Sequence, residues 1–224
     1  MKKIFSIVAA FILLADFQHA FAQEKMKEGK ITFDIELKNA EEMNDQMLAM
    51  MPKEMVVYFK NGKSRSEMEM MGGKVISITD NKTGETISCS DIMGKKQAVK
   101  FTKEDAEKEK EKRGAYEVKV TDDTKDIAGY KCKKAIITYT DQSDKDATSE
   151  IWFTNELEAS NSARYTWKGI DGYMMEFSVD QRGMGMKFTC KEVKKQSVDD
   201  DQFKIPDGYT MITQEDMMKQ YGGH

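Results

Sequence analysis

The sequence predicts a mainly β protein built around a large antiparallel sheet. Three observations lead to this prediction: apolar and polar residues alternate with a period of two, turn signals recur at short intervals, and the 224 residues include only 2 prolines. Alternation places the apolar side chains on one face of a strand, and turn signals spaced by roughly 8 to 12 residues are typical of consecutive hairpins. Because proline cannot donate a ladder hydrogen bond, its scarcity allows long strands.

The first strand is predicted at 31–38, where Ile31, Phe33 and Ile35 alternate with polar residues. An Asn-Gly pair at 61–62 separates the next two patterns, and such a pair between strands is a strong hairpin signal. Further strands are predicted at 55–60, 65–71, 75–79, 85–90, 97–101, 116–120, 132–140, 150–154, 173–179 and 184–190, and an extended segment at 199–209 is expected to close the sheet.

Three segments have helical patterns instead. In 40–51, methionines recur at helical spacing, Asn39 stands where an N-cap is expected and Pro52 follows the end. This helix has an apolar stripe and is predicted to cover the sheet. Segment 102–113 is highly charged and starts with a capping box, so we expect a short, solvated helix. A last helical turn is predicted at 215–220.

Residues 1–22 have the pattern of a secretory signal peptide, with two lysines, an apolar run over 4–14 and small residues at Ala20 and Ala22. Cleavage is expected after Ala22, which leaves 23–224 as a single domain. The apolar run is too short to span a bilayer, and no second run follows it. We therefore expect a periplasmic or secreted protein that does not span the membrane.

Composition excludes several classes of function. The chain has a formal net charge of −4 and lacks the broad positive field that nucleic acids require. It contains 2 histidines, His19 in the predicted signal peptide and the terminal His224. Catalysis by Ser-His or Cys-His pairs and a histidine-based zinc site are therefore not expected. We predict no catalytic residue, no metal site and no cofactor, and hence a non-enzymatic protein.

The three cysteines, Cys89, Cys132 and Cys190, allow at most one disulfide within the chain. An exported protein enters a compartment that permits disulfides. Cys132 and Cys190 are the preferred pair because both lie in strong strand patterns. The alternative is that all three remain buried thiols, which behave as small apolar side chains.

Two segments resemble a known group of proteins. These are GYKCKKAIITYT at 129–140 and the closing FKIPDGY at 203–209, which follow a signal peptide, a first strand and a Met-rich segment. Together they resemble a family of exported bacterial proteins of unassigned function that is similar in fold to the lipoprotein carrier LolA. The resemblance implies a strongly curved antiparallel sheet, a half-open barrel, with helices across its concave side. In the carrier relatives an apolar cavity between sheet and helices holds acyl chains.

Methionine is unusually frequent, with 18 in the chain. Because its side chain is flexible and polarizable, it suits surfaces that adapt to varied apolar ligands. We expect a cavity for an apolar small molecule, a lipid or a lipoprotein acyl chain. Its predicted lining consists of Phe33, Ile35, Met43, Met47, Met68, Met70, Met175, Phe177, Met184 and Met186.

Two alternatives remain open at this point. Met68, Met70 and Met71, or Met184 and Met186, have spacings that suggest monovalent copper, which thioethers bind well. Residues i and i+2 of a strand stand roughly 6.5 Å apart, so one ion would need ligands from a neighbouring strand. In the other alternative the methionines fill a solid core, and the protein is an envelope component that binds a protein partner.

Overall fold

The structure, a computed structural model, describes residues 24–38, 40–70, 72–92, 94–112, 114–140, 146–162, 166–181 and 184–221. The predicted signal peptide lies outside these residues. Within them, the strands are β1 (Glu28–Leu37), β2 (Glu54–Lys60), β3 (Lys63–Met70), β4 (Gly73–Asp80), β5 (Glu85–Ile92), β6 (Lys95–Phe101), β7 (Tyr116–Ile127), β8 (Tyr130–Thr140), β9 (Asp146–Thr154), β10 (Tyr173–Gln181), β11 (Met184–Lys194) and β12 (Thr210–Ile212).

The described helices are α1 (Asp45–Ala49), α2 (Lys103–Lys112) and α3 (Gln214–Tyr221). Short 3-10 turns lie at Ala40–Glu42 and Asp200–Phe203. No helix in the described part of the chain is both long and apolar enough to cross a membrane.

All twelve strands belong to one curved, open sheet in the order β12-β6-β5-β4-β3-β2-β1-β11-β10-β9-β8-β7. Neighbouring strands are antiparallel except β12 and β6, which are parallel. Strands β2 to β6 form one series of hairpins and β7 to β11 form a second. β1 pairs with β2 on one side and β11 on the other, so it joins the two series. The predicted mainly β fold, an open curved sheet with short helices, is confirmed.

The main core lies on the concave face around β1. Ile31 and Phe33 are fully buried there, beside Val57 and Phe59 of β2. On the other side of β1, Phe177 of β10 and Phe188 of β11 complete the core, and their rings stack at a centroid distance of 4.9 Å. Ile31, Phe33 and Ile35 are buried as the alternation in 31–38 predicts, but Thr32 of the expected polar face is also only 7% exposed.

A second apolar cluster lies on the convex face of β4 to β6. Ile76, Ile78 and Cys89 are buried there by the segment 199–209, which we call the C-terminal strap. The expectation that this extended segment closes the sheet is wrong. It forms a 3-10 turn and packs its apolar residues across the back of the sheet. The strand that follows it, β12, is the one that joins the edge. The strap residues in the cluster are Phe203, Ile205 and Tyr209.

Arg65 of β3 fastens the C-terminal strap to the sheet. Its guanidinium donates to the carbonyl oxygens of Gln202 and Lys204, at 3.1 and 3.4 Å, and to the Glu67 carboxylate at 2.6 Å. The residue is only 8% exposed. Burial alone would raise the pKa of Glu67, but hydrogen bonds from Lys74 and Arg65 outweigh burial and lower it.

The predicted helix at 40–51 is much shorter in the structure. Asn44 has extended backbone angles (φ −78°, ψ 163°), and its side chain accepts a hydrogen bond from the Met47 amide. It therefore acts as the N-cap of α1 and interrupts the helical pattern where the sequence suggested continuity. Asn39, the cap expected from sequence, lies outside the described residues.

All three cysteines are buried free thiols in the structure, which matches the alternative of three buried thiols, and the possible Cys132–Cys190 disulfide is not formed. Each of these two thiols instead donates to a backbone carbonyl, Cys132 to Tyr130 and Cys190 to Glu192. Burial raises the pKa of Cys132 to about 11 and that of Cys190 to about 12, so both thiols stay protonated at neutral pH. Burial also raises the pKa of Cys89.

We expect Arg65→Gln to lower the free energy of unfolding by about 1–3 kcal/mol, because strap carbonyls and the Glu67 carboxylate lose a buried donor. Lys204→Gln is the matched control. Lys204 lies on the same strap, but its side chain is 73% exposed and pairs with an exposed Asp201, so a change within about 0.5 kcal/mol is expected. Urea denaturation followed by circular dichroism measures both. Equal losses for the two variants would contradict the role of Arg65.

We also expect the native protein to react slowly with Ellman's reagent at pH 8, because buried, protonated thiols are poor nucleophiles. Unfolding in guanidinium without reductant should then release three thiols per chain, one for each free cysteine. A single reactive thiol after unfolding would mean that two cysteines are paired and that the core differs from the structure.

Candidate ligand-binding site

A cavity of about 380 Å³ lies on the concave side of the sheet. Its wall comes from β2 to β5 and from β10 and β11, and its cover from α2 and the loop residues 160–162. Met217 of α3 reaches it from the C-terminal side. Cavities that hold small molecules in proteins are about 300–1,000 Å³, so the volume is within the range of ligand sites.

One end of the cavity is apolar. Met55 of β2 lies directly opposite Met68 of β3, and both side chains line the space. Phe177 and Phe188, which are partners on β10 and β11, stack with their planes 6° apart and form the adjoining wall. This end therefore presents thioethers and aromatic rings, which are flexible and polarizable surfaces.

The other end of the cavity is lined by hydroxyl groups. Because directly paired residues of neighbouring antiparallel strands share a face, the strand register arranges these groups in two rows. The first, which we call the serine row, is Ser66–Ser77–Ser88 across β3, β4 and β5. The second row runs parallel to it and consists of Ser64, Thr79 and Thr86.

The two rows differ in their hydrogen bonds. The Ser64 hydroxyl accepts from the Ser160 amide at 2.6 Å, and the Ser160 hydroxyl donates to the Gly62 carbonyl. Thr79 and Thr86 share one hydrogen bond of 3.2 Å. The two Ser160 contacts fix the loop 160–162 against β3, and the Thr79–Thr86 bond joins β4 to β5. The hydroxyls of the serine row, by contrast, have no hydrogen-bond partner among the residues that the structure describes.

The hydroxyl-lined end arises because the large apolar residues change from the concave face in β2 to the convex face in β4. In β2 the large apolar residues point to the concave side, with Val57 as an example. In β4 the large apolar residues Ile76 and Ile78 point to the convex side, under the C-terminal strap. Since side chains alternate along a strand, Ser77 then faces inward. Small hydroxyl side chains do not fill the concave side, and the cavity is the space that they leave.

The cover begins with the capping box predicted from sequence. Thr102 and Asp105 exchange hydrogen bonds at the start of α2, and Gln214 of α3 donates to Asp105 at 2.7 Å. The backbone hydrogen bond from Thr102, followed by the side-chain bonds from Gln214 and Thr102, lowers the pKa of Asp105. The carboxylate of Asp105 therefore stays ionised at the cavity, and Glu109 of the same helix also lines it.

The structure brings four of the residues predicted from sequence together around the cavity: Met68, Met70, Phe177 and Met186. Three others, Phe33, Ile35 and Met175, are buried in the main core and do not line it.

The predicted cover residues lie elsewhere. Met47 is 45% exposed on α1, and neither it nor Met43 lines the cavity. Strand β11 includes Met184, but its side chain is not among those described. The cavity is instead covered by α2, which the sequence indicated only as a solvated helix.

Sequence reasoning missed the hydroxyl side chains and the acidic residues of α2. The signal was present as strict alternation, since 64–66 reads Ser-Arg-Ser and 76–79 reads Ile-Ser-Ile-Thr. Alternation separates two faces but does not tell which one is inside. The natural assumption, that the isoleucines face the interior of the curved sheet, fails because the C-terminal strap buries them from behind.

Seven solved chains match this one, among them MucB and LprF. MucB is 8% identical with a TM-score of 0.35, and the match covers 83% of this chain and 60% of MucB. LprF from Mycobacterium bovis is 10% identical with a TM-score of 0.31, and the match covers 76% of this chain and 88% of LprF. The chain thus spans well under two thirds of the length of MucB. Comparison with curated proteins gives no match.

The sequence also matches a family model over residues 41–209, most of the chain. The match includes both segments that carried the resemblance, 129–140 and 203–209. The predicted membership of a family of unassigned function is therefore confirmed. The chain belongs to the family described as "Domain of unknown function (DUF4412)".

Proposed function

We propose that the protein is an exported, non-enzymatic binding protein that holds an apolar ligand, such as a lipid or a lipoprotein acyl chain, in the concave cavity. The observation that carries this proposal is the cavity itself, whose apolar end is lined by Met55, Met68, Phe177 and Phe188. Burial of hydrocarbon there contributes about 0.8 kcal/mol per CH₂ group removed from water. No reacting group is needed for such a role.

The methionines support a site that tolerates different chains. The cavity is lined by Met55, Met68, Met70, Met174, Met186 and Met217. An unbranched thioether adapts its shape at small cost, so the same wall accepts chains of different length or bend. A rigid wall of branched residues would select one shape instead.

The weak attachment of α2 supports a route by which a ligand enters. This helix contains no buried residue, and its ion pairs, such as Lys110–Glu107 at 2.8 Å, lie on its own surface. Its capping box and the hydrogen bond from Gln214 hold its first turn. We infer that α2 moves away from the sheet at little cost while the sheet stays folded.

The proposed location follows from the sequence. Residues 1–22 have the charge, apolar run and small residues of a secretory signal. We propose that they are removed and that 23–224 act as one domain in the periplasm or outside the cell. Partners there would be an apolar small molecule or acyl chain and the envelope protein that delivers or receives it.

The copper alternative gains one observation. Met55 faces Met68 across two strands, which supplies the ligand from a neighbouring strand that the sequence alone did not provide. The cavity, however, also presents two rows of hydroxyl groups, which are hard ligands and do not suit monovalent copper. The mixture of long apolar and hydroxyl side chains favours an organic ligand.

We expect the protein to bind the uncharged apolar dye N-phenyl-1-naphthylamine saturably, with enhanced fluorescence. Met68→Trp, which places a larger side chain in the apolar end, should weaken binding at least about tenfold, a loss of about 1.4 kcal/mol. Met218→Trp is the matched control, because Met218 is 59% exposed on α3 and should leave binding unchanged.

Fluorescence titration with the dye measures the affinities of the wild type and of the Met68→Trp and Met218→Trp variants. Native mass spectrometry of the wild-type protein purified without detergent should in addition show a co-purified lipid mass that the Met68→Trp variant lacks. Absence of saturable dye binding by the wild type, or equal binding by both variants, would contradict the proposal.

A further inference from the structure

Building on the proposed function, we infer that the ligand is an uncharged amphiphile whose hydroxyl or amide groups bind the serine row while its hydrocarbon chain occupies the methionine-lined end. Monoacylglycerols have this chemistry; free fatty acids and anionic phospholipids do not. The inference specifies the class of ligand within the proposed site.

The serine row carries hydroxyl groups that are free to bind a ligand. Ser66, Ser77 and Ser88 are half-buried, line the cavity and stand directly opposite one another on β3, β4 and β5. No described residue forms a hydrogen bond with their hydroxyls. Each hydroxyl carries one donor and two acceptor positions, so the row offers a ligand both donors and acceptors in a fixed line. A purely hydrocarbon ligand would bury these groups without compensation, which is costly.

One of the two hydroxyl protons of Thr79 and Thr86, in the neighbouring row, also lacks an acceptor among the described residues. Thr79 and Thr86 are 5% and 8% exposed, and both line the cavity. Their two hydroxyls carry two protons, and the hydrogen bond of 3.2 Å between them uses one. The other has no acceptor among the described residues. Because a buried donor without a partner is unfavourable, an acceptor atom of a ligand would stabilise this position.

A further argument is charge. Among the described residues that line the cavity, the charged side chains are those of Asp105 and Glu109, both acidic. Glu109 forms an ion pair with Lys112 at 2.7 Å, so the negative charge at the cavity comes mainly from Asp105. Asp105 lies in the first turn of α2, which begins just after Phe101, the strand partner of Thr86 in the second hydroxyl row. A carboxylate or phosphate head group would meet this negative charge, whereas a glycerol or an amide would not. Charge and hydrogen-bonding capacity therefore favour the same class of ligand.

The two ends of the cavity lie in the order that an amphiphile requires. Along β3, Ser64 and Ser66 come before Met68 and Met70, and all four line the space. Along β4, Val75 precedes Ser77 and Thr79 in the opposite direction, so its apolar residue lies next to the methionines. Across β3 and β4 the hydroxyl lining therefore lies on one side and the apolar lining on the other, while Val57 of β2 and Phe101 of β6 stand at the edges of the two hydroxyl rows.

The test compares 1-monolauroylglycerol with laurate, which have the same twelve-carbon chain and differ in the head group. Each compound is titrated as a competitor of N-phenyl-1-naphthylamine bound to the wild-type protein at pH 8, at concentrations below its critical micelle concentration. We expect the monoacylglycerol to displace the dye at a concentration about tenfold lower than laurate, because only its hydroxyls match the serine row without charge repulsion. Replacing all three serines of the row by alanine should abolish this preference.

Ser178→Ala is the control substitution. Ser178 lies on β10 opposite Lys187 and does not line the cavity, so the preference should persist. If the dye binds but laurate competes as well as the monoacylglycerol, or if the triple variant keeps the preference, the inference on ligand class fails alone. If the wild type binds no dye at all, the proposed function fails with it. The comparison of the two ligands on the wild-type protein needs no variant to fold.

Discussion

The pairing of β1 with both β2 and β11 is the interaction on which the rest of the structure depends. It joins two hairpin series that have no other shared strand edge in the described sheet order, and it buries Ile31 and Phe33 completely. Phe33 lies opposite Met55 on one side and Cys190 on the other, so the core is continuous across the join. The cavity is built from both series and therefore exists only while this strand is in place.

The cavity exists because the large apolar residues of the sheet lie on different faces in different strands. Around β1 the concave face is apolar and packed, whereas in β4 and β5 the large apolar residues Ile76, Ile78 and Ile87 lie on the convex face beneath the C-terminal strap. The strap thus has an indirect role in the site: it buries Ile76 and Ile78 from behind and lets Ser77 and its neighbours face the interior without a packing partner. Arg65 holds the strap on the convex face of β3. The residue that stabilises the strap therefore also helps to keep the cavity on the concave face open.

The sequence predicts the strands of this protein well and the environment of their faces less well. Two-residue alternation locates β1 to β6 within a few residues, because each strand is bounded by a turn signal such as Asn61-Gly62. It cannot tell which face is inside, since the strap that buries Ile76 comes more than 120 residues later in the chain. The helix at 40–51 is overestimated because Asn44 caps a shorter one. Met68, Met70, Phe177 and Met186 line one cavity in the structure, whereas the serine row is missed because serines on a strand suggest a solvated face.

A crystal structure of the protein with a monoacylglycerol that carries bromine at the end of its chain tests the central claim most directly, because anomalous scattering locates the bromine independently of the rest of the map. The account predicts bromine beside Met55 and Met68 and the glycerol hydroxyls within hydrogen-bond distance of the serine row. An interior filled by side chains, or bromine bound only on the outer surface, would contradict it.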